Sequence, residues 1–134
     1  GAVIGLSQLS RLDSMIERRI EICSWFENFL NQYQDIFDIP NFEGNSSFCL
    51  PFILKDKEMK KELQNYLEDN GVETRPLCSG NLLRQPFLKD YSLKLNRNPK
   101  VDYLHFHGFF IGNNHLITNQ DIDRLESLLE NFLS

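Results

Sequence analysis

No run of apolar residues in this 134-residue chain is longer than seven, from Phe48 to Leu54, and Pro51 interrupts that one. A helix that crosses a bilayer needs about 20 consecutive apolar residues, so no membrane insertion is expected, and no secretory signal is visible. Cysteine is scarce: Cys23, Cys49 and Cys78 are odd in number and form no C-x-x-C pair. That pattern speaks against a disulfide framework and reads as three reduced thiols in a cytoplasmic protein. Positive charge is never banded; 14 Lys and Arg are scattered among 19 Asp and Glu, for a net charge of −5. A nucleic-acid binder would show a clustered basic face, so none is expected as a partner. Also lacking are a G-x-G-x-x-G or Walker loop, since "GFFIGNN" has the wrong spacing, and any nucleophile elbow to order a serine triad.

What is present is core material. Hydrophobic residues make up 41% of the chain and include 11 Phe, and a chain of this length buries roughly two-thirds of its extended surface on folding. Leu9, Leu12, Ile16, Cys23, Phe26, Leu30 and Tyr33 recur at three- and four-residue steps, which predicts one long amphipathic helix across 3–34 with Arg11, Glu17, Arg18 and Glu21 on its wet side. The pattern is under way from the first residues and no Met opens the chain, so a piece of a longer chain is expected. "SSFCLPFILK" (46–55) reads as a short strand. Asp56 caps a helix with Met59, Leu63, Tyr66 and Leu67 on its buried face, and Gly71 suits its left-handed end. "VETRPL" (72–77) reads as a second strand and "VDYLHFHGFFIGN" (101–113) as a third, broken at Gly108. Thr118 caps a last helix in capping-box fashion with Asp121, and Ile122, Leu125, Leu129 and Phe132 form its stripe. The expectation is an α+β fold: a long N-terminal helix (1–38) followed by a β-α-β-β-α body (46–134), as a single domain over 1–134.

Few groups carry chemistry. On a strand, His105 and His107 would share one side, with His115 eight residues on, but a zinc site wants two tight ligand pairs and only one is visible; no metal is expected. Cys78 beside a histidine is the only nucleophile pair to weigh, and nothing in the sequence lowers its pKa. Lys55, Lys57, Lys60, Lys61, Lys89, Lys94 and Lys100 read as solvated. The segment from Cys78 to Pro99 keeps no period, and a structureless loop of roughly twenty residues is commonly functional. It opens with "TRPLCSGNLLRQP" (74–86), where Arg75 is held extended by Pro76 and suits bidentate binding of phosphate or carboxylate. Asn81, Arg84 and Gln85 add amide and guanidinium groups. Physics alone leaves a ligand pocket and a solvated loop with Arg75 in a surface ion pair equally open.

The motifs themselves add more. "GVETRPLCSGNLLRQPFLKDY" followed by "HGFFIGNNHLIT" resembles the C-terminal small domain of DegT/StrS-type sugar aminotransferases, in their lipopolysaccharide-biosynthesis branch. "GAVIGLSQLSRLDSMIERR" is similar to the helix that leads out of that family's cofactor domain. The resemblance covers nearly the whole chain. It implies a fold-type I enzyme using pyridoxal or pyridoxamine phosphate (PLP or PMP), a homodimer that aminates or 3-dehydrates a nucleotide-linked keto sugar. It further implies that Arg75, Asn81, Arg84, His107 and Asn114 face the sugar-nucleotide pocket, in recognition roles. The cofactor domain, with its lysine or histidine, is expected outside these residues, so no catalytic residue is assigned and the chain by itself is expected to be inactive. The alternative is a stand-alone interaction module whose first helix binds a partner.

Overall fold

The computed structural model describes residues 2–77, 80–88 and 98–134. They form α1 (Ala2–Asn31), β1 (Cys49–Ile53), α2 (Lys57–Asp69), β2 (Thr74–Pro76), α3 (Pro99–His107), β3 (Gly108–Gly112) and α4 (Asn119–Leu133). The chain divides into two compact units, one made of Gly1–Gln34, Ile39–Leu50 and Gly112–Ser134, the other of Asp35–Asp38 and Pro51–Ile111. Among the described residues no helix is long and apolar enough to cross a membrane.

In the first unit, α1 is about 45 Å long at 1.5 Å per residue. Its buried face begins at Ile22 and runs through Cys23, Phe26, Phe29 and Leu30. The expected stripe was longer: Leu9 and Leu12 are 61% and 44% exposed. The reason is geometric: α1 meets the segment that leads into α4 at Arg18, past these residues. Arg18 Nε and Nη2 donate to the Ile117 carbonyl (3.2 and 2.9 Å) and Nη2 to Asn119 Oδ1 (2.9 Å). One helix turn pair further on, Trp25 Nε1 donates to Glu126 Oε2 (3.1 Å) and Phe26 meets Phe42 edge-on. At the start of α4 the capping box forms as expected: Thr118 Oγ1 accepts from the Asp121 N–H, and Asp121 Oδ2 accepts from the Thr118 N–H (2.8 Å) and hydroxyl (2.6 Å).

The second unit is built on a sheet of order β1-β3-β2. β2 runs antiparallel to β3, pairing Thr74 with Ile111, Arg75 with Phe110 and Pro76 with Phe109. Phe52 and Phe109 stack face to face with centroids 5.0 Å apart, fully buried beside Phe37 and with Leu63 and Leu67 of α2 also buried. Asp56 caps α2 by accepting from the Glu58 and Met59 amides, and Gly71 (φ 78) leaves it in the left-handed region that favours glycine.

The strand expected over 101–113 is only half strand. Asn98 accepts from the Lys100 amide and Pro99 stands at the first helical position, so 99–107 winds as α3 and converts to β3 at Gly108 without a linker. The sequence shows no i, i+4 apolar stripe there, which is why alternation looked the better reading. Glycine is required at the junction: a Cβ on Gly108 would lie 2.1 Å from Leu77 Cδ1 and 2.8 Å from the Leu104 carbonyl oxygen. The α+β outline stands, with one more helix in the body.

Two outcomes are expected. Phe109→Ala should cost about 3–5 kcal/mol by chemical denaturation, the range for truncating a fully buried aromatic. Thr118→Ala should cost about 1 kcal/mol near neutral pH. The Thr118 hydroxyl and amide hold the Asp121 carboxyl below its ordinary 3.8. Its contribution is therefore present above that value and lost as pH falls through the depressed one, so the gap between wild type and Thr118→Ala should narrow in acid, leaving the pH-independent bond from the Asp121 N–H to Thr118 Oγ1.

Candidate functional site

The loop after β2 is organised around one carboxylate. Gly80 turns the chain with φ 69, and a Cβ there would sit 2.1 Å from His105 Nδ1, so the backbone closes directly onto that ring. The Asn81 N–H donates to His105 Nδ1 (3.1 Å), which fixes the neutral ring's proton on Nε2. Asn81 is 4% exposed; its Oδ1 accepts from the Leu83 amide (2.9 Å) and its Nδ2 donates to Asp102 Oδ1 (2.7 Å). Arg84 Nε donates to that same oxygen at 2.6 Å, and its guanidinium lies 4.7 Å above the Phe106 ring. The hydrogen bond to Asp102 pushes the Arg84 pKa further up. Beside this cluster is a largely apolar cavity of about 330 Å³, lined by Pro51, Ile53, Leu77, Val101, Leu104 and His105 among others.

The other expected site residues lie elsewhere. Arg75 is 67% exposed and pairs through Nε and Nη2 with Glu73, two residues back. Pairs of that kind contribute little. His107 donates from Nδ1 to the Leu54 carbonyl (2.8 Å) and stacks on Tyr103 with centroids 4.1 Å apart. Tyr103 donates to Asp38 Oδ2 (2.7 Å), a bond that pushes its pKa up to about 12. Asn114 belongs to the first unit, where its Oδ1 accepts from the Leu116 amide (3.1 Å) and shapes a turn. Asn81 and Arg84 are thus brought together, and Arg75 and His107 are occupied within the fold.

His105 and His107 do not share a side, because both sit on α3 two residues apart, where side chains diverge by about 200°. No group of three His, Cys, Asp or Glu that could hold a metal occurs among the described residues. Cys78, Lys89 and Lys94 lie outside the described residues. Two residues were missed from sequence. Asp102 carries no local signal, since its partners are 18 and 21 residues away. Asn113 was legible: Phe109, Ile111 and Asn113 alternate as the buried positions of the strand and its extension. Within the first unit its Nδ2 donates to the Arg19 and Ser47 carbonyls (3.1 and 2.9 Å) and contacts Cys23 Sγ (3.3 Å). Cys23 itself is raised in pKa by burial, which suits a packed, unreactive thiol.

The model of the DegT/DnrJ/EryC1/StrS aminotransferase family matches residues 1–129. The chain belongs to this family. It is 32% identical over 133 residues to a GDP-4-keto-6-deoxy-D-mannose 3-dehydratase of Yersinia pseudotuberculosis, covering 95% of this chain and 33% of that one. With the GDP-perosamine synthase of Escherichia coli O157:H7 it shares 23% over 133 residues, covering 99% of this chain and 35% of the relative. The solved Escherichia coli GDP-4-keto-6-deoxy-D-mannose 3-dehydratase with bound hydrated PLP superposes with a TM-score of 0.76 at 30% identity, over 94% of this chain and 33% of that one. The chain therefore spans about a third of the length of the relatives it matches. The family resemblance carried by the T-R-P and H-G-F-F-I-G-N segments is borne out, and so is the α+β class.

Asn113→Ala should destabilise the first unit by about 1–3 kcal/mol, since it strands two part-buried carbonyls. Asn114→Ala, at an exposed turn, should cost under about 1 kcal/mol. Equal losses in thermal denaturation would contradict this division.

Proposed function

We propose that this chain is the substrate-recognising portion of a cytoplasmic, homodimeric PLP- or PMP-dependent enzyme that aminates or 3-dehydrates a nucleotide-linked keto sugar for surface polysaccharide. The observation that carries the reading is family membership along nearly the whole chain, joined to relatives named as acting on GDP-linked sugars. Arg84 supports it as a partly exposed guanidinium suited to a phosphate. Of the five residues the resemblance named, the geometry favours Arg84 as the one that meets ligand, with Asn81 supporting it from inside.

When bound, the cofactor supplies the electron sink for chemistry at the sugar's keto carbon. The residues described here do not fit it. No lysine lines the cavity beside the loop. The described lysine least exposed to solvent, Lys60, donates to Gln64 (2.7 Å) and lies 5.8 Å over the Phe109 ring. In this reading the cofactor domain belongs to other residues of the protein. The exposed apolar side chains Val3, Ile4, Leu6 and Leu9 at the start of α1 suit a seat for that domain.

The protein expressed from its complete coding sequence should show the absorbance of bound PLP or PMP. Incubated with glutamate and a GDP-linked 4-keto-6-deoxyhexose, it should yield by mass spectrometry either an amino sugar or a sugar lacking the 3-hydroxyl. A colourless protein that leaves the sugar unchanged would overturn the reading.

A further inference from the structure

The recognition loop has an organiser on another element. Asp102 stands in the first turn of α3, and its Oδ1 alone receives both the Asn81 amide (2.7 Å) and Arg84 Nε (2.6 Å). Asn81 is 4% exposed and is engaged within the fold at each of its polar groups. Its Nδ2 goes to Asp102, its Oδ1 to the Leu83 amide and its N–H to His105. It locks the first turn of residues 82–84, which carries Arg84.

Arg84 is constrained twice. The Asp102 bond holds its Nε, and the guanidinium carbon lies 4.7 Å from the centre of the Phe106 ring. Asp102 is engaged through Nε and not through the Nη nitrogens, on an Arg84 side chain 45% exposed. Arg75 is engaged differently, because Glu73 takes its Nε and Nη2 together. A forked, planar cation with one side tethered is the geometry that receives two oxygens of a phosphate.

We propose that Asp102 is a positioning residue: by holding Asn81 and Arg84 on one oxygen, it presents the Nη edge of Arg84 to a phosphate of the nucleotide sugar. This rests on the nucleotide-sugar reading above. Asp102 touches no substrate and acts through Arg84. The competing structural role is that of an acidic group in the first turn of α3, which would favour the helix and nothing else.

The test uses the complete protein and its nucleotide sugar, with Arg84→Ala, Asp102→Ala, Asp102→Asn and the Arg84→Ala/Asp102→Ala double variant. Each alanine variant should raise KM roughly fivefold or more with kcat little changed, and the double variant should be no worse than Arg84→Ala alone, because coupled groups are not additive. Asp102→Asn, which keeps an acceptor, should recover part of the loss. An Asp102→Ala variant with unchanged KM, or effects that multiply in the double variant, would overturn the proposal.

Should Asp102→Ala fail to fold, Asp102→Asn and the Arg84 Nε–H nitrogen-15 resonance still decide it. That proton should be protected from exchange in wild type and shifted in Asp102→Asn; exchange as fast as in free arginine sinks the geometry. The two levels separate cleanly. A wild type that neither binds nor converts any nucleotide sugar fails the functional reading, whereas an active wild type with an unimpaired Arg84→Ala variant fails this inference alone.

Discussion

The second unit depends on one close approach, that of Leu77 and the Leu104 carbonyl to the bare Cα of Gly108. A helix cannot become a strand in one residue unless the side chain that would fill the corner is absent. With glycine there, α3 and β3 share a junction, and the consequences spread in both directions. Downstream, β3 enters the sheet between β1 and β2 and delivers Phe109 to its stack with Phe52. Upstream, residues 99–107 are forced to be helical, which sends Asp102, Phe106 and His105 toward the loop after β2 and His107 toward Leu54.

That arrangement resolves an electrostatic difficulty. The chain is acidic overall, at −5, so the phosphate proposed above would not be drawn in by net charge and would have to be recognised locally. A lone arginine on an acidic surface would sample many rotamers and pair with any carboxylate within reach, as Arg75 does with Glu73. Arg84 has a carboxylate partner too, but its second anchor is an aromatic face. Attraction to a ligand is weakened by Asp102, while the entropy of ordering the side chain is lost on folding and not on binding.

The sequence was most readable where order is local. The caps at Asp56 and Thr118, the left-handed Gly71 and the buried pair Leu63 and Leu67 all follow from spacings of a few residues. It was least readable where partners are distant. Alternation over 101–113 pointed to a strand, and only tertiary packing at Gly108, with Asn98 and Pro99 as start signals, makes the first half helical. The five residues put forward for the site share a motif, not an environment. Spacing cannot reveal that Asn81 is interior, that Arg75 is matched by Glu73, or that Asp102 ties the loop together across 18 residues of chain.

α1 shows the same limit from the other side. Its apolar periodicity runs from residue 3 onward without a break, and periodicity alone says that the whole stripe should be covered. Burial starts only at Ile22, leaving Val3, Ile4, Leu6 and Leu9 at 61–80% exposure. A helix with this many large apolar side chains in water gains nothing from them by itself. Leu6, Leu9, Leu12 and Ile16 fall on one face of the helix at three- and four-residue steps, whereas Ile4 stands off it. The two halves of α1 differ accordingly: the half from Arg18 onward organises its own unit, and the half before it carries Val3, Ile4, Leu6 and Leu9 exposed.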